Sequence, residues 1–287
     1  MKRLFVPGEE WVYYKIYTGV KSSDNILINY ILPLSKKLTD LKIIKKWFFI
    51  RYADPDEHLR VRFLLSNISN FGVVVSEINL SLKSLIEDDI IWDIKLDSYK
   101  RELERYGANC FPIYEDIFYV DSSFILRFLK ELLEERYLPY LGIRIIDTFL
   151  SEFKLSDKDK IEFLELWFNG LGKEFGYDRN LKIQLDKKFR KMRKEIDLLF
   201  DNSMWPENFR NMLDLYTKEI RSGVNELMIN SLSKKEKISI INSLCHMAIN
   251  RLFRSKQRLS EFVIYGLMIK MLKSNLKKKS NLELINK

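Results

Sequence analysis

Two arginines two residues apart, Arg60 and Arg62, could together bind an anion. They lie in the segment 58–65, whose aliphatic and aromatic residues predict a β-strand, and side chains alternate between the two faces of a strand. His58, Arg60 and Arg62 would then share one face, with the two arginines about 7 Å apart. Guanidinium groups at that spacing repel each other unless an anion lies between them, and each can hold a carboxylate through two parallel hydrogen bonds. On the pattern alone, an exposed strand whose arginines pair with surface acids is the simpler explanation.

A histidine on a predicted helix near the end of the sequence is the candidate for proton transfer. Asn242, His246 and Asn250 recur every four residues within a mostly apolar stretch, so they line one face of a helix. Histidine is the side chain best suited to proton transfer near neutral pH. A core histidine with hydrogen-bonded neighbours explains the same pattern, and the residues alone favour neither interpretation.

The charged segment 99–107 contains a third candidate, Arg105, two residues before Gly107. An amphipathic charged turn that ends at the glycine accounts for the composition of this segment. From the residues alone, that turn is a simpler interpretation than a functional role for Arg105.

No familiar nucleotide, metal or hydrolase motif occurs in the sequence. It lacks a Walker-type phosphate loop, G-x-G-x-x-G, H-E-x-x-H and G-x-S-x-G. Because the chain has two histidines and two cysteines, a zinc site would need carboxylate ligands, so we predict no metal and no organic cofactor. Cys110 and Cys245 lie far apart and outside any C-x-x-C motif, which favours a reduced, cytoplasmic protein.

The candidate residues must be positioned by a β-rich first part and a mostly helical remainder, which predicts the α+β class. Alternating apolar and aromatic residues predict antiparallel strands over 11–17, 46–52, 58–65 and 90–96, the middle two joined as a hairpin. We predict a helix over 24–38, with Asp24 as N-cap and a kink or break at Pro33, and another over 71–86. The later predicted helices cover 122–136, 138–152, 156–171, 181–200, 206–222, 234–253 and 257–275. We see no flexible linker between the two parts, so a single domain over 1–287 is expected.

The net charge of +9 suits either a lysine-rich, soluble protein or one that attracts an acidic partner. The basic clusters at 187–194 and 277–279 are explained most simply as a solvated helix face and a solvated end, so we expect no direct binding of nucleic acid.

No stretch approaches 18 uninterrupted apolar residues. The apolar run among the first residues is too short for a signal peptide. We therefore expect no membrane partner.

Several segments, taken together, resemble the C-terminal elimination domain of lantibiotic dehydratases, also called the thiopeptide-type bacteriocin biosynthesis domain. The resemblance begins with the opening strand at 11–19 and continues with Phe-Ile-Arg-Tyr-x-Asp-Pro-x-x-His-Leu-Arg-x-Arg at 49–62. It includes Tyr99, Glu102 and Arg105-Tyr106-Gly107, then Asp121-Ser122, and closes with Ser-Leu-x-His-Met-x-x-Asn-Arg at 243–251. It spans almost the whole chain in the family's order. Ala108 departs from a second glycine that is frequent in the family, which puts the shape of that loop in question but not the charged residues.

The resemblance implies an activity. In the family, a partner domain transfers glutamate from glutamyl-tRNA to Ser or Thr hydroxyls of a precursor peptide, and the elimination domain expels that glutamate to leave dehydroalanine or dehydrobutyrine. By this resemblance the domain 1–287 is of elimination type, its catalytic residues are Arg60, Arg62, Arg105 and His246, and all four are present. We further predict that Arg51 and Asn250 bind the substrate.

The resemblance also implies partners. Because it starts at Trp11, close behind Met1, we expect a stand-alone enzyme that acts on a glutamylated precursor peptide and depends on a separate glutamyl-tRNA-dependent glutamylating protein. A homodimer is a further expectation to test.

Two alternative functions stay open. One is a pyridine-forming [4+2] cycloaddition enzyme of thiopeptide pathways, a class that shares the fold but tends to lose the elimination residues. The other is a non-catalytic module that holds the peptide for a partner dehydratase.

Overall fold

The computed structural model describes residues 1–107, 110–132, 134–200, 203–229 and 232–285, with side chains up to residue 278. The chain divides into two compact units, Met1–Leu133 and Glu134–Lys287. Strands occur in the first unit and helices fill the second, so the predicted α+β class with a β-rich N-terminal part is confirmed. That 1–287 works as a single elimination-type domain stays a prediction. Ala108, whose effect on its loop was predicted, lies outside the described residues.

An antiparallel sheet of four strands forms the centre of the first unit. The strands of this unit are β1 Leu4–Phe5, β2 Trp11–Thr18, β3 Ile44–Ala53, β4 Glu57–Leu65, β5 Ile91–Leu96 and β6 Tyr99–Lys100. The order in the sheet is β3-β4-β2-β5, while β1 and β6 form a separate two-stranded sheet. The predicted hairpin is confirmed as β3 and β4, whose register pairs Phe48 with Arg62 and Ile50 with Arg60.

One face of the sheet packs on helices of the first unit. The helices of this unit are α1 Val20–Ile26, α2 Leu32–Asp40, α3 Phe71–Glu87, α4 Leu103–Tyr106 and α5 Phe111–Glu131, with a π-helical segment Leu27–Ile31 and a 3-10 turn Ile68–Asn70. Leu59, Val61 and Phe63 of β4 are almost fully buried in this core, with apolar residues of α2 and α3. This burial confirms that they share the face opposite the arginines, and burying such a face is the main term that stabilises the sheet.

The start of the first helix was predicted wrongly. It begins at Val20 after Gly19, so Asp24 lies inside α1 and is not its N-cap. The predicted break at Pro33 takes the form of the π-helical segment just before α2, in whose first turn Pro33 lies. At that position the missing N–H of proline is tolerated.

The second unit consists of helices. They are α6 Leu138–Glu152, α7 Asp157–Glu174, α8 Arg179–Phe200, α9 Glu207–Ile229, α10 Lys234–Leu252 and α11 Gln257–Ile285, after a 3-10 turn Glu135–Tyr137. α10 begins with a capping box of Ser233 and Glu236. A Cβ on Gly266 of α11 would lie 2.5 Å from Cδ2 of Leu185 and 2.9 Å from Cε2 of Phe168, so these side chains would have to shift. Within the described residues, no helix combines the length and apolar character that crossing a membrane would require.

Candidate functional site

Cations and aromatic rings share the sheet face opposite the core. We call this the basic sheet face, and it consists of Tyr13, Lys15 and Tyr17 of β2, Phe48 and Tyr52 of β3, and His58, Arg60 and Arg62 of β4. The register sets Arg62 between Tyr13 and Phe48, and Arg60 beside Lys15. The predicted common face of His58, Arg60 and Arg62 is thereby confirmed.

Arg62 is a buried cation surrounded by rings. Arg62 is only 8% exposed. Its Cζ lies 4.3 Å from the ring centre of Tyr13, 4.9 Å from that of Tyr99 and 5.3 Å from that of Phe48. Among the described residues no carboxylate lies within 4.0 Å of it, and its Nε has no hydrogen-bond partner. Burial lowers the pKa of Arg62, but a guanidinium stays protonated in proteins. The site therefore holds a positive charge that no acid of the described chain neutralises.

Arg60 has a similar arrangement nearer the surface. Its Cζ lies 3.4 Å from the ring centre of Tyr52, and its Nε donates a hydrogen bond of 3.0 Å to Nε2 of His58. Within the part of the chain that the structure describes, its two Nη groups make no hydrogen bond and no ion pair. Those groups are free to donate to an anion.

Arg105 lies on the short helix α4, which ends at Gly107. Its Nη1 lies 3.5 Å from Oε2 of Glu102, a long and exposed contact. Gly107 has φ 76° and ψ 144°, a conformation that side chains rarely adopt. The charge of Glu102 acts on Arg62, which places the start of this turn near the basic sheet face. Arg105 thus belongs to the same unit as Arg60 and Arg62, and its predicted role in catalysis stays a prediction.

A buried network that the sequence did not reveal holds Tyr99 against Arg62. Arg101 donates from Nε and Nη2 to the two oxygens of Glu115, at 2.7 and 2.6 Å, and the hydroxyl of Tyr99 donates to Oε1 of Glu115 at 3.0 Å. Glu115 is 1% exposed and lies on α5. Burial raises the pKa of Tyr99 well above its usual value. The alternation of Tyr99 and Arg101 on an extended segment was the available signal.

Arg51 lies on the other face of the sheet from Arg60. Its Nη1 donates to Oγ of Ser23 at 2.8 Å and its Nη2 to Oδ1 of Asp24 at 2.5 Å, and the side chain is buried. These contacts tie β3 to α1, which is a structural role. The predicted contact of Arg51 with substrate stays a prediction.

In the second unit, His246 forms a hydrogen-bonded pair with a buried acid. Its Nδ1 lies 2.9 Å from Oε2 of Glu261 on α11, and the hydroxyl of Tyr265 donates to Oε1 of Glu261 at 2.9 Å. Glu261 is 3% exposed, whereas the side chain of His246 is 27% exposed. With Nδ1–H donating to the carboxylate, Nε2 of the neutral ring carries the lone pair that can accept a proton. Burial raises the pKa of Tyr265 well above its usual value, so its hydroxyl stays a donor.

Asn250 lies one turn beyond His246 on α10, on the same helix face, and is half-buried. Its predicted role in substrate binding stays a prediction. Among the described residues, no group of three acidic, histidine or cysteine side chains is arranged to hold a metal ion.

The sequence matches the family of the lantibiotic biosynthesis dehydratase C-terminal domain over residues 11–272. The chain belongs to this family. The predicted resemblance is therefore confirmed, and it covers both the basic sheet face and the His246–Glu261 pair.

Two curated relatives carry the same domain within much longer chains. The nisin biosynthesis protein NisB of Lactococcus lactis subsp. lactis is 27% identical over 281 residues, which are 93% of this chain and 26% of NisB. The subtilin biosynthesis protein SpaB of Bacillus subtilis is 24% identical over 277 residues, which are 91% of this chain and 25% of SpaB. The chain thus spans about a quarter of the length of these relatives.

Solved structures share the fold. The tRNA-dependent lantibiotic dehydratase MibB from Microbispora sp. 107891 superposes with a TM-score of 0.73 at 20% identity, covering 96% of this chain and 29% of MibB. TbtD, a pyridine synthase from thiomuracin biosynthesis, superposes with a TM-score of 0.67 at 11% identity, covering 93% of this chain and 98% of TbtD. At these identities the likeness establishes the fold alone.

The contact between His246 and Glu261 predicts the effect of one substitution in this family member. Glu261→Gln keeps an oxygen near Nδ1 but removes the negative charge that fixes the tautomer and stabilises a protonated ring. If His246 transfers a proton in the reaction, we expect kcat to fall by at least about tenfold. Losing the acid that orients a catalytic histidine can cost up to about 10⁴ in kcat in a serine protease. The measurement is kcat and KM against pH, with Glu219→Gln, an exposed glutamate on α9, as the matched control. An unchanged kcat and pH profile would remove Glu261 from the site.

Proposed function

We propose that this chain removes glutamate from glutamylated Ser or Thr side chains of a ribosomal precursor peptide and leaves dehydroalanine or dehydrobutyrine. The observation that carries the proposal is the basic sheet face, where Arg60 and Arg62 are held by aromatic rings and not by acids. Such cations suit a leaving group with two carboxylates. Membership in the lantibiotic dehydratase C-terminal family supports the same chemistry.

The reaction is a β-elimination. A base takes the proton from Cα of the glutamylated residue, and negative charge develops on the neighbouring amide oxygen. The electron pair then forms the Cα=Cβ double bond, and the Cβ–O bond breaks with its pair remaining on the carboxylate oxygen of the departing glutamate. The proton is weakly acidic, so the reaction needs both a positioned proton-transfer group and cations near the developing charge.

For each requirement we propose a residue of this chain. His246 is the proposed proton-transfer group, and Glu261 orients its ring and stabilises the protonated form. Arg60 and Arg62 are proposed to bind the free carboxylate of the glutamyl group and the ester oxygens that become its second carboxylate as the Cβ–O bond breaks, and Arg105 to add a third cation. Arg51 and Asn250 remain the proposed further contacts with the peptide.

The alternative is a pyridine-forming cycloaddition enzyme. The fold supports it, since the likeness to the pyridine synthase TbtD covers 98% of that chain. The family match over residues 11–272 and the 27% identity with the nisin biosynthesis protein NisB support the dehydratase side. Arg60, Arg62, Arg105 and His246 are all retained, whereas cycloaddition enzymes tend to lose them. The intact charged motifs speak against a silent peptide-binding module.

The proposed substrate defines the proposed partner. A glutamylated peptide must be made by a glutamyl-tRNA-dependent activity, which the proposed elimination does not supply. We propose that a separate glutamylating protein supplies this step and meets the elimination protein transiently.

Three substrates decide between these functions. The purified 287-residue chain is given a synthetic precursor with a glutamyl ester on one serine, the same peptide unmodified with glutamyl-tRNA, or the dehydrated peptide. Mass spectrometry should show loss of glutamate from the first and no change in the others. Dehydration of the unmodified peptide would show a complete dehydratase, a pyridine product from the third would establish the alternative, and no change in any would leave the binding module.

A further inference from the structure

His58 is buried on the basic sheet face with both ring nitrogens engaged. The residue is 3% exposed, and its ring lies 4.8 Å from that of Tyr17 and 5.5 Å from that of Tyr52, centre to centre. Its Nδ1 lies 2.8 Å from the backbone oxygen of Asp56, and its Nε2 lies 3.0 Å from Nε of Arg60. The proposed mechanism gives this ring no role.

The two partners fix the tautomer of His58. A carbonyl oxygen can only accept, so Nδ1 must carry the hydrogen towards Asp56. The Nε–H of Arg60 can only donate, so Nε2 must offer its lone pair. His58 is therefore a neutral ring whose two nitrogens are both used by the protein, and it cannot itself transfer a proton to or from a substrate.

The same contact decides which edge of Arg60 can meet a ligand. A guanidinium offers a carboxylate either its Nε–Nη2 edge or its Nη1–Nη2 edge. Here Nε is bound to His58 and the plane of the group lies against Tyr52, so the Nη1–Nη2 edge remains. We propose that His58 is a positioning residue that orients Arg60 to hold a carboxylate of the glutamyl group through this edge. The inference rests on the proposed function for the identity of the ligand.

Burial, and to a smaller extent the charges of nearby groups, keep His58 neutral at neutral pH. Burial lowers its pKa below 6.5, and the charges of Arg60 on β4 and Lys15 on β2 lower it further. The carbonyl of Asp56 and the charge of Asp54, both in the β3–β4 turn, act in the opposite direction but do not outweigh burial. When the pH falls through this lowered pKa, protonation puts an N–H against Nε–H of Arg60 and adds a second positive charge. The orientation of Arg60 is then lost on the acid side.

The first experiment reads the tautomer directly. The chain has two histidines, so a ¹⁵N-histidine label gives two ring systems, and a His246→Gln variant assigns them. We expect His58 as the Nδ1–H tautomer, with an unprotonated Nε2 and a titration midpoint below 6.5. An Nε2–H tautomer, or a midpoint at or above 6.5, would overturn the proposal.

The second experiment separates positioning from packing. His58→Gln can still place an amide oxygen near Nε of Arg60, whereas His58→Phe keeps a ring between the two tyrosines and removes the acceptor. We expect His58→Phe to raise KM for the glutamylated peptide by about tenfold or more, since hydrogen bonds to charged groups are strong. His58→Gln should stay within about threefold and lose the acid limb of kcat/KM. The reverse order, with Phe tolerated and Gln not, would show a packing role only.

The proposal and the proposed function can fail separately. If wild-type protein does not release glutamate, the NMR result still tests the contact, and calorimetry with a glutamylated peptide still tests the difference between the Phe and Gln variants. If wild-type protein releases glutamate but His58→Phe binds and turns over peptide normally, the function stands and the positioning role is refuted. Thermal unfolding of both variants shows whether either has lost its fold.

Discussion

The His246→Ala variant should bind glutamylated peptide and leave it glutamylated. His246 is the proposed proton-transfer group, its Nδ1 is held by Glu261, and its partly exposed ring leaves Nε2 for the substrate. A positioned general acid or base contributes about 10²–10⁴ in rate, so turnover should fall by that factor with little change in KM. Mass spectrometry of a single-turnover reaction measures the release of glutamate. Because the missing ring leaves an accessible space, added imidazole should restore part of the rate.

The matched control is Lys235→Ala, an exposed residue on the first turn of the same helix. It should keep the wild-type rate, and both variants should unfold at similar temperatures. Wild-type turnover by His246→Ala, in a properly folded protein, would exclude His246 from the mechanism. A loss of activity that imidazole does not rescue, together with lower thermal stability, would point to a structural role.

Two of the buried arginines of the first unit, Arg62 and Arg101, should differ in how substitution by methionine changes stability. Arg62 has no acid partner among the described residues, whereas Arg101 is bound by both oxygens of the buried Glu115. Burying an ion costs several kcal/mol, and ring contacts return about 0.5–2 kcal/mol each, so Arg62→Met should leave the free energy of unfolding unchanged or raise it. Arg101→Met leaves the buried carboxylate of Glu115 without its arginine partner and should lower the free energy of unfolding by about 3–5 kcal/mol.

Activity should follow a different pattern. Arg62→Met removes a cation from the site and should lower kcat by about 10²-fold or more, as the loss of one electrostatic donor does in other enzymes. Urea unfolding and turnover of glutamylated peptide measure the two quantities on the same samples. A stable and fully active Arg62→Met protein would contradict the proposed role of the basic sheet face, and a stable Arg101→Met would show that the Glu115 network is dispensable.

Local patterns predicted what depends on neighbours in sequence. The alternation in β4 was sufficient to separate His58, Arg60 and Arg62 from Leu59 and the rest of the apolar face, and the hairpin with β3 followed from the turn between them. The helices of the second unit were predicted, and most of their ends were placed within a few residues of those in the structure. The start of α5 was missed by eleven residues, because Pro112 lies in the first turn of this helix and was not taken as a start signal.

Contacts between distant residues could not be predicted in this way. Asp24 has the residue type of an N-cap, but Arg51 on β3 binds its carboxylate inside α1. Glu261 lies on a different helix from His246, and only the packing of α10 on α11 brings the two together. The partner of Arg101 likewise lies on α5. A single sequence specifies that a buried charge needs a partner, but not which residue supplies it.

The use of rings to hold Arg60 and Arg62 also shapes the electric field of the protein. The two lysines nearby are each paired with a carboxylate, Lys15 with Asp97 at 2.5 Å and Lys95 with Asp93 at 2.8 Å, and such pairs act at a distance as dipoles. An aromatic ring attracts a cation through its quadrupole and has no net charge, so each arginine still acts as a monopole. The field of a monopole decays more slowly with distance than that of a dipole, and in physiological salt it extends about 8 Å before screening dominates. The arginines would therefore attract the proposed acidic peptide before it touches them, while the neighbouring lysine pairs contribute little to that attraction.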